Sequence, residues 1–181
     1  MIASLKYTHA DLLLMPDDGK RREIIDGELY VTPSPVNYHQ MILFNLTMAF
    51  GKFLEVHPLG KLRFAPLDVI LSEYDVLEPD LLFVLNEHRD YLQDWVRGAP
   101  DLVVEILSPS TEARDRGIKL KTYARYGVGE YWIVDPVEQT VEVYRLTEDG
   151  FRLAATGAKG KRIETPLLPG FSLAVSAIFK P

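Results

Sequence analysis

The sequence predicts a mixed α/β fold, and three features of the chain support that prediction. Residues 102–107 form an apolar run rich in β-branched side chains, which is typical of a strand covered on both faces. Residues 37–56 instead repeat their apolar side chains at helical spacing. Asp26-Gly27 separates two short β-rich runs, which is the strongest short signal for a hairpin turn. With 181 residues and 47% hydrophobic content, residues 1–181 are expected to form a single domain.

The first third of the chain contains two predicted helices and a hairpin. A short helix is expected over residues 8–14, with Thr8 as its cap and Pro16 after its end. The hairpin spans residues 21–35 around the Asp-Gly turn. A long helix then occupies residues 37–56 and ends before Pro58.

The middle of the chain is dominated by predicted strands. Strands are expected at residues 62–71 and 77–85, followed by a polar helical stretch over residues 87–96. The strand at residues 102–107 comes next. A helix should then run from Ser110 or Thr111 to residue 126, because hydroxyl side chains favour the helix start and Gly127 favours its end.

The last quarter of the chain is predicted to be mostly β-structure. A strand over residues 130–135 is halted at Pro136, and residues 140–146 alternate as its hairpin partner. Further strands are expected at residues 151–155 and 162–164. Residues 167–179 are interpreted as a closing edge strand.

Composition restricts the classes of function. The chain has no cysteine, which excludes disulfides and thiolate metal sites, and its four histidines lack zinc-ligand spacing. We find no apolar run long enough for a membrane span and no signal-peptide layout, so a cytoplasmic protein without membrane contact is expected. The net charge of −6 makes nucleic-acid binding dependent on a local basic face.

Two acidic residues accompany core strands and form the first candidate site. Glu105 lies within the apolar run at residues 102–107. Burying a carboxylate there costs roughly several kcal/mol of folding free energy unless a cation or hydrogen bonds hold it. Asp80 occurs in a similar Pro-Asp context, directly before the apolar residues 81–84. Together they suggest a metal site, although Glu105 could instead pair with a buried arginine. Asp101 lies roughly 13 Å from Glu105 at strand rise and is interpreted as structural.

Several motifs, taken in order along the chain, resemble the Uma-two family of endonucleases, which belongs to the PD-(D/E)XK nuclease superfamily. The resemblance spans roughly residues 23–146. The motifs that carry it are "DGELYVTPSP", His39 at the opening of the long helix, "APLDVIL", "EPDLLFV" and "PDLVVEILSPSTEARDRGIKLKTYARYGVGEYWIVDP". It implies a restriction endonuclease-like core, with a mixed sheet flanked by helices and an additional N-terminal β-hairpin.

The resemblance also assigns candidate site residues. It implies that the metal-binding aspartate is Asp80 and the central acid is Glu105. Further polar positions of the family fall on Glu28, His39, Asp68 and Lys119. Alternatives remain for three of these positions, because Glu28 could be a solvent-exposed turn neighbour, His39 could simply begin the long helix, and Asp68 could support a ligand instead of being one.

The lysine of the site departs from the superfamily pattern. That pattern places a lysine two residues after the strand acid, where this chain has Leu107. The family instead supplies a lysine from the following helix, which corresponds to Lys119. At 100° per residue, Arg116, Leu120 and Tyr123 should face the sheet and leave Lys119 on one flank. The opposite flank, with Arg114, Lys121 and Arg125, is a candidate phosphate-contacting surface.

The resulting functional expectation is a Mg²⁺-dependent endonuclease that hydrolyses phosphodiester bonds of nucleic acid, with DNA as the expected substrate. Mg²⁺, or Mn²⁺ as a substitute, would be held by Asp80 and Glu105 with Asp68 as a further candidate ligand. Lys119 would position or activate water, with His39 and Glu28 as further catalytic candidates. A homodimer is expected by fold analogy, because a double-strand cut needs two active sites or two visits. Two alternatives are a catalytically silent module that binds nucleic acid or a partner, and a hydrolase of another phosphoester.

Overall fold

The computed structural model describes residues 5–16 and 18–181, and its architecture is the expected mixed α/β arrangement. The helices in these ranges are α1 (His9–Leu13), α2 (Asn37–Val56), α3 (Glu112–Arg114), α4 (Leu120–Tyr126) and α5 (Val175–Ile178). A 3-10 helix covers Asn86–Tyr91 and a π-helical stretch covers Asp115–Lys119. No helix in the described part of the chain is both long and apolar enough to cross a membrane.

A six-stranded mixed sheet forms the centre of the fold. Its strands, in order across the sheet, are β11 (Gly150–Gly157), β10 (Thr140–Thr147), β9 (Glu130–Asp135), β8 (Leu102–Ile106), β6 (Leu81–Leu85) and β3 (Gly60–Phe64). Strands β8 and β9 are parallel, and the other neighbours are antiparallel. Strand β8 therefore lies between β6 and β9, with every residue buried, as its apolar run predicted.

A second, five-stranded sheet contains the N-terminal hairpin. Its order is β2 (Glu28–Thr32), β1 (Arg21–Ile25), β5 (Asp75–Leu77), β4 (Val69–Ser72) and β7 (Val96–Arg97). The predicted hairpin is present, and Asp26 and Gly27 both have positive φ at its turn. Because β1 also pairs with β5, the hairpin is one edge of a sheet. A small third sheet joins β12 (Arg162–Glu164) to β13 (Ser172–Ala174).

Each face of the six-stranded sheet is covered by a different layer. On one face, α2 packs its buried side chains against the sheet, and the ring of Phe50 lies 5.5 Å from that of Trp132. On the other face, Tyr123 of α4 lies 5.2 Å from Tyr131, ring centre to ring centre. The five-stranded sheet packs into the same second core through Ile25. Side chains from both layers can thus reach the ends of β6 and β8.

Three predicted elements were wrong in detail. The two strands expected at residues 62–71 and 77–85 are four strands, β3 to β6, because Pro66 and Pro79 interrupt the pairing by lacking a backbone N–H. The polar helical stretch at residues 87–96 is a 3-10 turn followed by β7. The closing edge strand is present only as β13, and the chain then turns into α5.

The helix predicted from residue 111 to residue 126 is interrupted. It runs as α3, the π-helical stretch and α4, and it ends at Gly127, which adopts the left-handed conformation with φ of 88°. Thr111 is the residue before its first turn, as expected, but its side chain makes no capping hydrogen bond. By contrast, the capping box of α1 joins Thr8 to Asp11, and α2 has the predicted bounds.

Candidate active site

Asp80 and Glu105 lie opposite one another where strands β6 and β8 begin and end. The antiparallel register pairs Leu81 with Val104, so one further step along both strands places Asp80 opposite Glu105. Directly opposed residues in an antiparallel pair have Cβ atoms about 5 Å apart. The sequence analysis expected these two acids on neighbouring strands, and the structure brings them to one place.

The carboxylate of Asp80 is held by three groups from different elements. Its Oδ2 atom accepts a hydrogen bond from the backbone N–H of Ile106 at 2.9 Å and lies 3.1 Å from Nε2 of His39, which begins α2. Its Oδ1 atom lies 3.3 Å from Nη1 of Arg21 on β1. Burial by itself raises the pKa of Asp80, but His39, Arg21 and the Ile106 N–H together bring that pKa below its ordinary value.

Glu105 belongs to a second cluster, which is centred on Lys119. The Nζ atom of Lys119 lies 2.7 Å from Oε1 of Glu23, 2.9 Å from Oε1 of Glu105 and 3.5 Å from Oδ1 of Asp115. The Lys119 side chain is only 3% exposed. Tyr123 donates its hydroxyl to the same Glu105 oxygen at 3.0 Å. One ammonium group therefore holds three buried carboxylates, here called the lysine cluster.

The charged groups of the lysine cluster change one another's pKa values. Burial, together with the neighbouring Asp115, Asp80 and Glu23 carboxylates, raises the pKa of Glu105 to about 8 against the opposing effect of Lys119. Burial opposes the charge of Lys119 as well, but its three carboxylates raise its pKa above the ordinary value. Lys119 is consequently a hydrogen-bond donor with a fixed positive charge.

The π-helical stretch explains how Lys119 reaches the centre of the cluster. A regular helix rotates 100° per residue and would leave Lys119 on a flank, which was the expectation. The wider turn over Asp115–Lys119 instead puts Asp115 and Lys119 on the buried face, together with Tyr123. Arg116, predicted to face the sheet, pairs with Glu142 at 2.8 Å. The predicted flank position of Lys119 was therefore wrong, because its side chain is buried.

Two residues of the site were missed by sequence reasoning. Glu23 is buried on β1, where its Oε1 also accepts the backbone N–H of Glu78 at 3.0 Å. Arg114 lies 3.6 Å from Oε2 of Glu23 and donates to Thr32 at 2.8 Å. The available signal for Glu23 was its two-residue spacing from Ile25, which places both on the buried face of the hairpin strand.

Two candidates from the sequence analysis lie outside the lysine cluster and the Asp80 contacts. Glu28 is exposed and accepts a hydrogen bond from Tyr30, because it follows the turn on the outer strand while Glu23 occupies the inward position. Asp68 is half-buried between β3 and β4, where burial raises its pKa and Glu78 separates it from Arg21. Asp101 is structural as expected, since it accepts from Leu85 N–H at 2.7 Å.

The predicted phosphate-contacting flank does not exist as one surface. Arg114 points toward Glu23 inside the site. Arg125 pairs with Asp75 at 3.0 Å and lines a different cavity together with Lys121. The interruption of the helix at Asp115–Lys119 separates Arg114 from the other two residues. Basic side chains of this helix therefore serve two separate regions.

The Asp80 contacts and the lysine cluster open into one cavity of about 380 Å³, here called the site cavity. Its floor contains the charged residues Arg21, Glu23, His39, Asp80, Glu105, Arg114, Asp115 and Lys119. Three loops form its rim, at residues 33–36, 108–111 and 136–137. Two floor atoms, Nδ1 of His39 and Oδ1 of Asp115, make no hydrogen bond with the part of the chain described.

The oxygen donors of the floor fit a magnesium ion. Mg²⁺ is commonly held by one or two carboxylates and keeps its remaining positions for water and substrate phosphate. Asp80 and Glu105 supply such a pair of hard oxygen ligands from opposed positions. Over residues 5–16 and 18–181, no group of three or more His, Cys, Asp or Glu side chains is placed to hold a metal, so the protein would supply only this pair.

Comparisons with known proteins show the family and the fold of this chain. The chain is 29% identical over 165 residues to the uncharacterized protein slr1290 of Synechocystis sp., covering 89% of this chain and 84% of that protein. Its fold matches the crystal structure of a "putative nuclease belonging to DUF820" from Anabaena variabilis, with a TM-score of 0.79, 20% identity and coverage of 95% and 97%. Residues 9–176 match the family model Uma2, described as "Putative restriction endonuclease". This chain therefore belongs to the Uma2 family and has the nuclease fold that its motifs predicted.

Proposed function

We propose that this protein is a Mg²⁺-dependent endonuclease that hydrolyses phosphodiester bonds of DNA. The observation that carries the proposal is the convergence of Asp80, Glu105 and the buried Lys119 on one cavity floor. Buried carboxylates with an adjacent cation, opening into a cleft, are typical of sites that handle charged substrates. Membership of the Uma2 family supports the same reaction class.

Asp80 and Glu105 are the residues that would hold the metal. Bound there, Mg²⁺ would stabilise the negative charge that develops on the phosphate oxygens during hydrolysis. Arg21, which contacts Asp80, and His39, whose Nδ1 is without a partner in the described chain, line the same floor. They are suited to binding and orienting the phosphate group, Arg21 through charge-assisted hydrogen bonds and His39 through its ring nitrogen.

Lys119 is suited to electrostatic stabilisation and to positioning water, but not to removing its proton. Its carboxylate neighbours raise its pKa, so the ammonium form persists across the neutral range. Asp115 is the better proton acceptor, because burial raises its pKa and its Oδ1 accepts no hydrogen bond from the described residues. Asp115→Asn should lower turnover strongly while leaving the affinity for an oligonucleotide unchanged.

A metal titration combined with DNA cleavage tests this function. Calorimetry with Mn²⁺ should detect divalent-ion binding in the wild type that is lost in Asp80→Asn and in Glu105→Gln. Cleavage of plasmid DNA should require Mg²⁺ or Mn²⁺ and should disappear in both variants. Glu28→Gln is the matched control, because Glu28 is exposed outside the site cavity. Undiminished metal binding in the Asp80→Asn/Glu105→Gln double variant would contradict the proposed site.

A hydrolase of a small phosphoester is the second candidate. The size of the site cavity, about 380 Å³, favours it, because pockets of about 300–1,000 Å³ commonly bind small molecules. A panel of DNA, RNA and small phosphodiesters separates the two functions. Turnover of small diesters with no cleavage of either nucleic acid would select the second candidate. If the protein binds DNA and metal but cleaves nothing in the panel, it is a binding module.

A homodimer remains part of the proposal, because cutting both strands of DNA needs two active sites or two separate visits. Sedimentation at several protein concentrations, with and without DNA, should reveal a dimer on the substrate. A monomer at every concentration would instead favour independent cuts in single strands.

A further inference from the structure

The site cavity continues into a second cavity of about 320 Å³, and the two share part of their walls. The shared lining residues are Arg21, Thr32, Ser34, Pro35 and Asp80. The pair of Asp80 and Arg21 thus lies at the junction. A phosphate bound at that junction has space on both sides for the chain to which it belongs.

Two of the three rim loops, at residues 33–36 and 136–137, carry apolar side chains that are unusually exposed. Val36 is 70% exposed and Val137 is 83% exposed, and both line the cavity from different loops. Tyr38 also lines it, and its hydroxyl accepts a hydrogen bond from Gln139 at 3.3 Å, which links the two loops. Prolines at positions 33, 35 and 136 restrict the same loops. Such a rim suits the flat apolar face of a base better than a phosphate.

Three cations, Arg21, Arg114 and Lys119, line the site cavity beside four carboxylates, whereas Lys121 and Arg125 line a different cavity. With Mg²⁺ bound as proposed, positive charge would exceed negative charge in the site cavity. The net charge is −6, so the remaining surface carries an excess of acidic groups. Duplex binding depends on neutralising many phosphates along an outer face. Single-strand binding instead combines an inner cationic groove with surfaces on which unpaired bases rest.

The beginning of α2 adds a further feature that suits an anion. This helix has 20 residues, its first turn has no acidic residue, and Val36, the residue before it, makes no side-chain capping bond. His39 in that turn is buried, lines the cavity and has an Nδ1 atom without a partner in the described chain. Helix starts attract anions through their free N–H groups and dipole. The orphaned His39 nitrogen provides an independent reason to expect an anion beside them.

We propose that the substrate of this site is an unpaired nucleic-acid strand, held with one phosphate at the Asp80–Arg21 junction. The nucleotide on one side of that phosphate enters the site cavity and rests its base against Val36 and Val137. The strand leaves through the second cavity. The inference rests on the proposed nuclease function and specifies the form of the substrate.

Direct binding measurements test the proposal without depending on cleavage. With Ca²⁺ in place of Mg²⁺, fluorescence anisotropy should show tighter binding of a labelled single-stranded oligonucleotide than of a hairpin duplex with the same number of nucleotides. DNA and RNA versions of the strand are both included, and tighter binding of either one than of its duplex supports the proposal. In Mn²⁺, the preferred strand should also be cut faster than the duplex.

The apolar rim is tested with a matched pair of valine variants. Val36→Ser/Val137→Ser should weaken single-strand binding about fivefold, because apolar surface buried against one base is lost. Val56→Ser should leave binding unchanged, because Val56 is similarly exposed at 73% but lies at the other end of α2. Both changes are on the surface, so folding should be preserved, and circular dichroism checks this.

The outcomes distinguish failure of the unpaired-strand proposal from failure of the proposed nuclease function. Equal or tighter binding and cutting of the duplex would overturn the unpaired-strand proposal and leave the nuclease intact. Absence of binding and cleavage for every nucleic acid would overturn both. Single-strand preference that survives the double valine variant would remove the rim from the proposal.

Discussion

Two clusters around buried carboxylates differ in how completely those carboxylates are hydrogen-bonded. In the lysine cluster, the carboxylates of Glu23, Glu105 and Asp115 share one central ammonium group, that of Lys119. In the second cluster, Asp75 alone receives four donors. These are the Asp26 N–H and Arg125 on Oδ1, and the Ser72 and Tyr126 hydroxyls on Oδ2.

The number of hydrogen bonds that a buried acid accepts indicates whether its role is structural or functional. Asp75 has its hydrogen-bonding capacity filled by a turn, a helix and a neighbouring strand, so it fixes those elements. In the lysine cluster, Oδ1 of Asp115 accepts no hydrogen bond from the described residues, Glu105 has a raised pKa, and the cluster borders a cavity. An excess of acceptors facing a cavity leaves capacity for a ligand. Burial of an acid is common to both clusters and does not distinguish them.

The largest expected effect comes from removing the single cation of the lysine cluster. Lys119→Met should lower the free energy of unfolding by about 3–5 kcal/mol, because buried carboxylates would lose their partner. Adding Glu105→Gln to that variant should recover part of the loss. Urea unfolding measures both, and Lys121→Met on the exposed side of the same helix is the control. A loss below about 1 kcal/mol would show that the carboxylates are already protonated or hydrated.

A smaller loss is expected when the saturated cluster is changed. Asp75→Asn should lower the free energy of unfolding by about 1–3 kcal/mol, because buried donors on its Oδ2 side lose their acceptor. The contribution of Arg125 is limited, since that side chain is 47% exposed. DNA cleavage by the folded variant should equal that of the wild type. Loss of cleavage at full folding would give the Asp75 cluster a functional role and end the contrast.

These contrasts also show what the sequence could predict. Glu105 and Asp80 were identifiable because an acid in or beside a continuous apolar strand is costly, and strand spacing gives their approximate neighbourhood. The long helix was predicted to the residue, since its apolar period continues unbroken up to Val56. Glu23 was not predicted, because only the pairing of β1 with β5 brings it beside Lys119.

The position of Lys119 could not be derived from a helical wheel. A π-helical stretch rotates every later side chain around the helix axis. No local pattern of residues predicted this stretch. The resemblance to the family points to the lysine that the fold places beside Glu105, for a reason unrelated to helix geometry. The division of β3 to β6 was missed for a simpler reason, because Pro66 and Pro79 were read inside or beside continuous strands.

Unlike the changes at Lys119 and Asp75, replacement of Glu105 should not lower the free energy of unfolding appreciably. In metal-free buffer, Glu105→Gln should leave the free energy of unfolding within about 1 kcal/mol of the wild type or raise it, because burial penalises the charged form. The pKa of Glu105 rises from 4.5 to about 8 on folding, so the wild type loses stability as pH increases through that interval. The advantage of the variant should therefore grow from pH 5 to pH 8. A large loss of stability would instead identify a structural ion pair with Lys119.

The smallest expected change in stability is at Glu28, and it contrasts with a large expected effect on cleavage at Glu23, the other glutamate of the hairpin. Glu28 is exposed and its contact is with Tyr30 two residues away, so Glu28→Ala should change the free energy of unfolding by no more than about 0.5 kcal/mol. Cleavage should also be unchanged. Glu23→Gln, one strand away, should abolish or strongly reduce cleavage, because Glu23 orients Lys119 through the 2.7 Å contact.

Thermal unfolding and a cleavage assay on both variants decide between these two assignments. A purely structural Glu23 would reduce the melting temperature without changing the turnover of the protein that remains folded. Glu23→Asp provides a further check, since a shorter carboxylate keeps the charge but withdraws it from Lys119. If Glu28→Ala loses activity while Glu23→Gln keeps it, the family pattern, which points to Glu28, is a better guide to this site than the contacts in the fold.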